Sequence, residues 1–223
     1  MHESCPVDNR VPKNYSKWKN KVRSLRLDLQ TIDYCRSGCM LYFKEDLALE
    51  NCKFRDLPRW KPNKSGDNRF KPKSYVTMFY FPLTPRLQRL YASRNIAEQM
   101  RWHYNNRRED GVLRHPLDGE AWKHFDRKHS DFAYEPGNVR LGSCANRFSP
   151  FSQSKRPYSI WHVAVTPYNL PPDMCMKTPY MFLTCITPGP TNLNNKIDVC
   201  LQPLIDELRS LWDGVQTYDI LMR

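Results

Sequence analysis

The chain has 223 residues, a net charge of +12 and a hydrophobic content of 40%. This is enough apolar material for a packed core, and the basic excess favours anionic partners such as DNA over small-molecule substrates. The excess lies in residues 1–115, which contain 24 basic and 12 acidic residues, whereas residues 116–223 contain 11 of each. The longest apolar run, at 180–186, is far shorter than the roughly 20 residues that span a bilayer.

The N-terminal sequence MHESCPVDNR lacks the basic start and the apolar segment of a secretory signal. We therefore expect a protein of the nucleus or cytoplasm that is neither secreted nor embedded in a membrane. Its eight cysteines are then expected to be reduced thiols, because disulfides are rare in those compartments.

Trp18, Val22, Leu25 and Leu29 recur at helical spacing and predict an amphipathic helix over residues 12–29. Its other face is basic and carries Lys17, Lys19, Lys21, Arg23 and Arg26. Such a face is either a solvated surface or a site that contacts DNA phosphates. Contacts to phosphates position a protein on DNA but do not read the base sequence.

Three cysteines within 18 residues, Cys35, Cys39 and Cys52, suggest a zinc site. Structural zinc takes four ligands, and a fourth at C-x2-C spacing from Cys52 would stand at position 55, which is Arg55. We therefore predict a degenerate site that binds zinc only partially. Two distant substitutes for the missing ligand are Cys5 and His2.

Residues 53–75 interleave basic and aromatic side chains, a composition that suits phosphate contacts and base stacking. The candidates for nucleic-acid binding in this stretch are Arg59, Trp60, Lys61, Lys71 and Lys73. The alternative is a solvated linker, which Pro62, Gly66 and Pro72 support.

A helix is predicted to begin with Thr84 as N-cap and Pro85 in the first position, and its apolar face continues to Tyr104. A second helix is predicted to follow Asp118, whose carboxylate would cap it. Four histidines lack ligand-like spacing and are assigned no metal or catalytic role: His103, His115, His124 and His129.

The stretch 139–151 predicts a buried strand that runs directly into a functional loop and delivers one polar residue, Asn146, to a sheet edge, before the chain turns at 148–151. The alternative is an ordinary strand followed by a proline turn. Further elements predicted downstream are strands at 159–165 and 180–187, a helix at 199–212 and the start of a fourth strand at 215–220.

Several of these stretches resemble the transposases of CACTA-type (En/Spm-like) plant DNA transposons. The matching residues are Phe148-Ser149-Pro150-Phe151 in the family's Asp-Gly-Phe-Asn/Ser-Pro-Phe signature, Cys39-Met40-Leu41-Tyr42 and Arg59-Trp60 in its Cys-rich segment, and residues 81–87 and 119–123. In this alignment Asn146 stands where the family has a metal-binding Asp, and Arg147 stands where it has Gly.

The resemblance implies an RNase H-like nuclease that uses divalent metal ions such as Mg²⁺. A neutral amide at Asn146 and the fixed charge of Arg147 would weaken binding of such ions. We therefore expect no intact catalytic residue and no bound cofactor, with partial zinc as the one exception.

The resemblance also implies an α+β or α/β protein divided into four segments. These are a basic Cys-containing region at 1–60, a basic linker at 61–78, a helical region at 79–137 and a truncated RNase H-like core at 138–223. The expected function is that of an inactive transposase fragment with weak nucleic-acid binding. The alternatives are a non-catalytic DNA-binding or interaction module and a non-functional remnant of a silenced element.

Overall fold

The computed structural model describes residues 29–62, 72–108, 110–148, 159–189 and 197–222. The strands are β1 (Gln30–Tyr34), β2 (Leu41–Tyr42), β3 (Val76–Tyr80), β4 (Leu141–Phe148), β5 (Ser159–Pro167) and β6 (Phe182–Gly189). Within these ranges they form one six-stranded antiparallel sheet in the order β2-β1-β3-β6-β5-β4.

The helices are α1 (Thr84–Tyr91), α2 (Arg94–Gln99), α3 (Trp102–Asn105), α4 (Glu120–Lys128), α5 (Ser130–Tyr134), α6 (Pro172–Cys175) and α7 (Ile197–Asp213). Short 3₁₀ turns lie at 44–46, 116–118 and 178–180. The mixture of sheet and helices confirms the predicted α+β character. None of the described helices combines the length and apolarity needed to cross a membrane.

The main core lies between one face of the sheet and the helices α1, α2 and α7. Alternate residues of the strands are buried, as expected when helices cover a single face. They pack with helix side chains in one cluster that includes Ile32, Tyr34, Met78, Tyr80, Val163, Val165, Cys185, Leu87, Leu90, Met100 and Leu204.

The strands β4, β5 and β6 follow one another as an antiparallel meander. β4 pairs with β5 along its whole length, from Leu141 opposite Pro167 to Phe148 opposite Ile160. This confirms the predicted strand that delivers Asn146 to a sheet edge, and the strand continues to Phe148. Apart from Phe148, the predicted turn at 148–151 lies outside the described residues. Hydrogen bonds to β5 use alternate backbone groups of this polar stretch and hold it extended without apolar alternation.

The predicted fourth strand at 215–220 is also wrong. The segment after α7 forms no strand, and instead its backbone contacts α1. The N–H of Ile220 donates to Tyr91 O at 3.2 Å, and Gln88 Nε2 donates to Gln216 O at 3.0 Å. These bonds use backbone groups that a sheet ladder would need.

The predicted long helix from Thr84 to Tyr104 is divided into α1, α2 and α3. Ser93 is extended, with φ −108° and ψ 117°, which interrupts the helical path between α1 and α2. Thr84 is the first helical residue rather than the N-cap. Asp118 does not cap α4, because its carboxylate accepts the backbone N–H groups of Arg114 and His115, at 2.9 and 3.0 Å.

The four predicted segments do not correspond to separate sheets. The sheet contains β1 and β2 from 1–60, β3 from the region around 76–80, and β4, β5 and β6 from 138–223. The domain boundaries themselves stay predictions. Apart from Leu29, the predicted helix at 12–29 lies outside the described residues, as do Lys19, Lys21, Arg23 and Lys71. The helix predicted at 199–212 is confirmed as α7.

Candidate functional site

The three cysteines predicted as metal ligands converge in space. The Sγ atom of Cys39 lies 3.3 Å from that of Cys35 and 3.2 Å from that of Cys52, and all three lie within 4.8 Å of one another. A tight turn after β1 produces this convergence. Gly38, with φ 73°, donates its N–H to Cys35 O at 2.7 Å, a backbone conformation that favours glycine.

The surroundings of the cysteines are apolar. Cys35 and Cys52 are buried and pack with Met40 and Tyr42, and with the partly buried Cys39, Leu49 and Leu57. Burial raises the pKa of Cys39 to about 12, with a further contribution from hydrogen bonds to the other two thiols. Burial also acts to raise the pKa of Cys52, but hydrogen bonds from Cys39 and the backbone N–H of Phe54 outweigh it and lower that pKa.

These residues supply three of the four ligands that structural zinc takes. Among the described residues, no further His, Cys, Asp or Glu joins the three thiols. Arg55 is exposed, and its backbone N–H donates to Cys52 O at 3.3 Å. Cys5 and His2 lie outside the described residues. The donor set therefore fits zinc incompletely.

Arg59, predicted to bind nucleic acid, is used inside the protein. Its Nε and Nη2 donate to Asp33 Oδ2 at 2.8 and 2.6 Å, and its Nη1 donates to the carbonyls of Leu47 and Leu49 at 2.7 and 3.2 Å. Its guanidinium also lies 4.2 Å from the ring centre of Trp60. Arg59 thus ties β1 to the loop that leads to Cys52.

Lys61 and Lys73 occur together on a short antiparallel ladder. Lys61 N donates to Lys73 O at 2.8 Å and Tyr75 N donates to Arg59 O at 3.0 Å, so the Lys61 and Lys73 side chains lie on one face. Trp60 pairs with Ser74 on the opposite face. Both lysines are exposed, and no carboxylate of the described residues forms an ion pair with either.

One residue that sequence reasoning missed, Arg36, completes a basic cluster around Tyr75. The Arg36 guanidinium lies 5.1 Å from the Tyr75 ring centre, and the Lys61 ammonium lies 6.0 Å from it. We define the Tyr75 surface as Arg36, Lys61, Lys73 and Tyr75. The signal available in the sequence was the position of Arg36, directly after the first cysteine of the triad.

Asn146 is exposed near the end of β4, opposite His162 of β5. Its Oδ1 accepts the backbone N–H of Arg147 at 2.7 Å, so the amide oxygen that could approach a cation is occupied locally. The cysteine triad is the only group of three metal-ligating side chains found in the described part of the chain. The described side chains around Asn146 thus include no group of carboxylates of the kind that holds two metal ions.

Comparison with known proteins adds one positive finding. The family model described as Transposase family tnp2 matches residues 110–223, just over half of the chain. No curated protein and no solved structure gives a significant match. The matched range includes β4, β5, β6 and α7 and thus the strand that carries Asn146. The chain belongs to the transposase family tnp2.

Proposed function

We propose that this transposase-family chain is a catalytically inactive relative of CACTA-type transposases that retains weak, sequence-independent DNA binding in the nucleus. The observation that carries the proposal is Asn146, an exposed neutral residue at the position matched to a metal-binding aspartate, with its Oδ1 bound to Arg147 N. Mg²⁺ favours hard, anionic oxygen ligands, which Asn146 does not supply.

The arrangement of β4, β5, β6 and α7 supports an RNase H-like core. The three strands form an antiparallel meander, and α7 follows them and packs Cys200 and Leu204 into the core that the sheet residues share. The position of Asn146 on the first of these strands agrees with the place that the resemblance gives to the first catalytic residue.

Weak DNA binding is supported by the Tyr75 surface. It combines exposed cations with an aromatic ring and has no ion-paired carboxylate among the described residues. Cations neutralise phosphates without reading sequence, while an aromatic ring can stack on a base. The same observation favours a second candidate, a non-catalytic DNA-binding or interaction module with no link to transposition.

A nuclease assay tests inactivity. Purified protein is incubated with supercoiled plasmid or transposon-end DNA in Mg²⁺ or Mn²⁺, and we expect no cleavage. The variant Asn146→Asp should also be inactive, because no other carboxylates among the described residues group with position 146 to form a metal site. Metal-dependent cleavage that is absent from a mock preparation would refute the proposal.

A binding assay tests the Tyr75 surface. Fluorescence anisotropy with a labelled duplex should show that Lys61→Glu/Lys73→Glu weakens binding, whereas Lys123→Glu/Lys128→Glu, on the exposed face of α4, has the smaller effect. The logarithm of the affinity should fall with the logarithm of salt concentration by about 0.9 for each phosphate contacted. Equal losses in the two double variants, or binding that ignores salt, would contradict the assignment.

A further inference from the structure

Among the described residues, β4 is the last strand at one edge of the sheet, and its outward-facing backbone groups can be identified. Tyr168 N donates to Arg140 O at 2.7 Å, at the start of the ladder between β4 and β5. Because hydrogen-bonded pairs alternate along an antiparallel ladder, the even-numbered residues of β4 bond to β5. The N–H and C=O groups of the odd-numbered residues, from Leu141 to Arg147, therefore point away from the sheet.

This edge lacks most of the features that usually protect an open strand. Residues 143–148 are exposed, and β4 contains no proline. The irregularity in this part of the sheet lies between Val163 and Ala164 of β5 rather than in β4. Only the N–H of Arg147 is closed off, by Asn146 Oδ1. The outward groups of Leu141, Ser143 and Ala145 thus form a template for another strand.

We propose that β4 pairs with β4 of a second copy of this chain, antiparallel and about a two-fold axis at Ser143. In this register Ser143 lies opposite Ser143 of the partner subunit, and Leu141 lies opposite Ala145 of the partner subunit. Every outward-facing residue that remains open then meets another one. The side chains near the axis are small, from Gly142 to Ala145, and leave space for close approach.

Charge and shape favour a second copy as the occupant. The same register places Arg147 of the partner subunit opposite Val139. Val139 and Leu141 line a cavity of about 340 Å³ whose wall also includes Glu135. Arg147 is exposed, and no carboxylate among the described residues pairs with it. Arg147, the exposed cation at one end of β4, thus complements the cavity at the other end of β4 in the second copy, where Glu135 supplies a carboxylate.

Cross-linking of the full chain tests the register. In a Cys144→Ser background, Ser143→Cys places two thiols across the axis, where opposed residues of a hydrogen-bonded pair have Cα atoms about 5.5 Å apart, a separation that a disulfide accepts. Asn146→Cys in the same background is the matched control, because its two copies would be about 20 Å apart. Diamide should give a reducible dimer with Ser143→Cys and only the background level with Asn146→Cys.

Light scattering across a range of protein concentrations tests the association itself. Arg147→Glu should weaken dimerisation about fivefold, the scale of a surface ion pair, without changing the melting temperature. Adding Glu135→Arg should restore it. Equal cross-linking of Ser143→Cys and Asn146→Cys, a monomer at every concentration, or failure of the charge exchange to restore dimerisation would overturn the proposal.

Discussion

The carboxylate of Glu207 in α7 accepts the backbone N–H of Thr84 at 2.7 Å, at the first turn of α1. It also accepts the N–H of Leu83 and the hydroxyl of Tyr80. Because the first N–H groups of a helix lack partners within the helix, Glu207 caps α1 from a distant part of the chain.

Replacing Glu207 with Gln should destabilise the protein by about 2 kcal/mol, because it removes a charged acceptor from two backbone donors and a hydroxyl. Urea unfolding followed by fluorescence measures the change. Glu98→Gln is the control, since Glu98 is exposed on α2, and should be nearly neutral.

The stabilisation by Glu207 should depend on pH. Burial acts to raise the pKa of Glu207, but its hydrogen bonds outweigh this effect and lower the pKa. The stabilisation should therefore be present at neutral pH and be lost as pH falls below the carboxyl range. Equal stability of Glu207→Gln and Glu98→Gln would contradict the capping role of Glu207.

Acid should destabilise the protein through His103. Burial, with the nearby Arg140, lowers the pKa of His103 to about 4. The unfolded chain therefore takes up a proton at higher pH than the folded protein, and stability falls by about 2 kcal/mol between pH 7 and 5. His103→Gln should reduce this pH dependence in urea titrations, whereas the exposed His124→Gln should keep it. An unchanged pH dependence in His103→Gln would refute the assignment.

Zinc bound at the cysteine triad should remain below one ion per chain. Arg55→Cys should raise the zinc content towards one ion per chain, because position 55 follows Cys52 at C-x2-C spacing and would supply the fourth thiolate. Metal analysis after dialysis measures the content. Arg127→Cys, on the exposed face of α4, is the control and should bring no gain. Full occupancy in the unmodified protein, with no gain in Arg55→Cys, would show that a distant residue supplies the fourth ligand.

Gly142 should tolerate no side chain. A Cβ atom added at this position would lie 2.0 Å from Cζ of Tyr168, so the ring or the strand would have to move. Gly142→Ala should cost about 1–3 kcal/mol in thermal or urea unfolding, the usual range for overpacking. The neighbouring exposed Ser143→Ala should be nearly neutral. In a Tyr168→Ala background the cost of Gly142→Ala should shrink, and an undiminished cost would contradict this explanation.

Local pattern in the sequence was sufficient for several elements. The apolar repeat from Leu201 to Leu211 predicts α7, because a helix that covers a core must place apolar residues on one face. The runs that became β5 and β6 were predicted within about two residues. The spacing of Cys35, Cys39 and Cys52 predicted their convergence, since a turn between short strands brings such residues together.

Tertiary structure decided what depends on residues far apart in the chain. β3 pairs with β6 through Phe79 and Ile186, which joins segments predicted as separate regions. Arg59 was predicted to contact DNA from its basic and aromatic neighbours, yet Asp33 of β1 takes its guanidinium. The segment predicted as a strand at 215–220 instead uses backbone groups in hydrogen bonds to α1. Periodicity reports which face of a segment is buried, but the partner that satisfies a backbone group or charge is chosen only when distant segments pack.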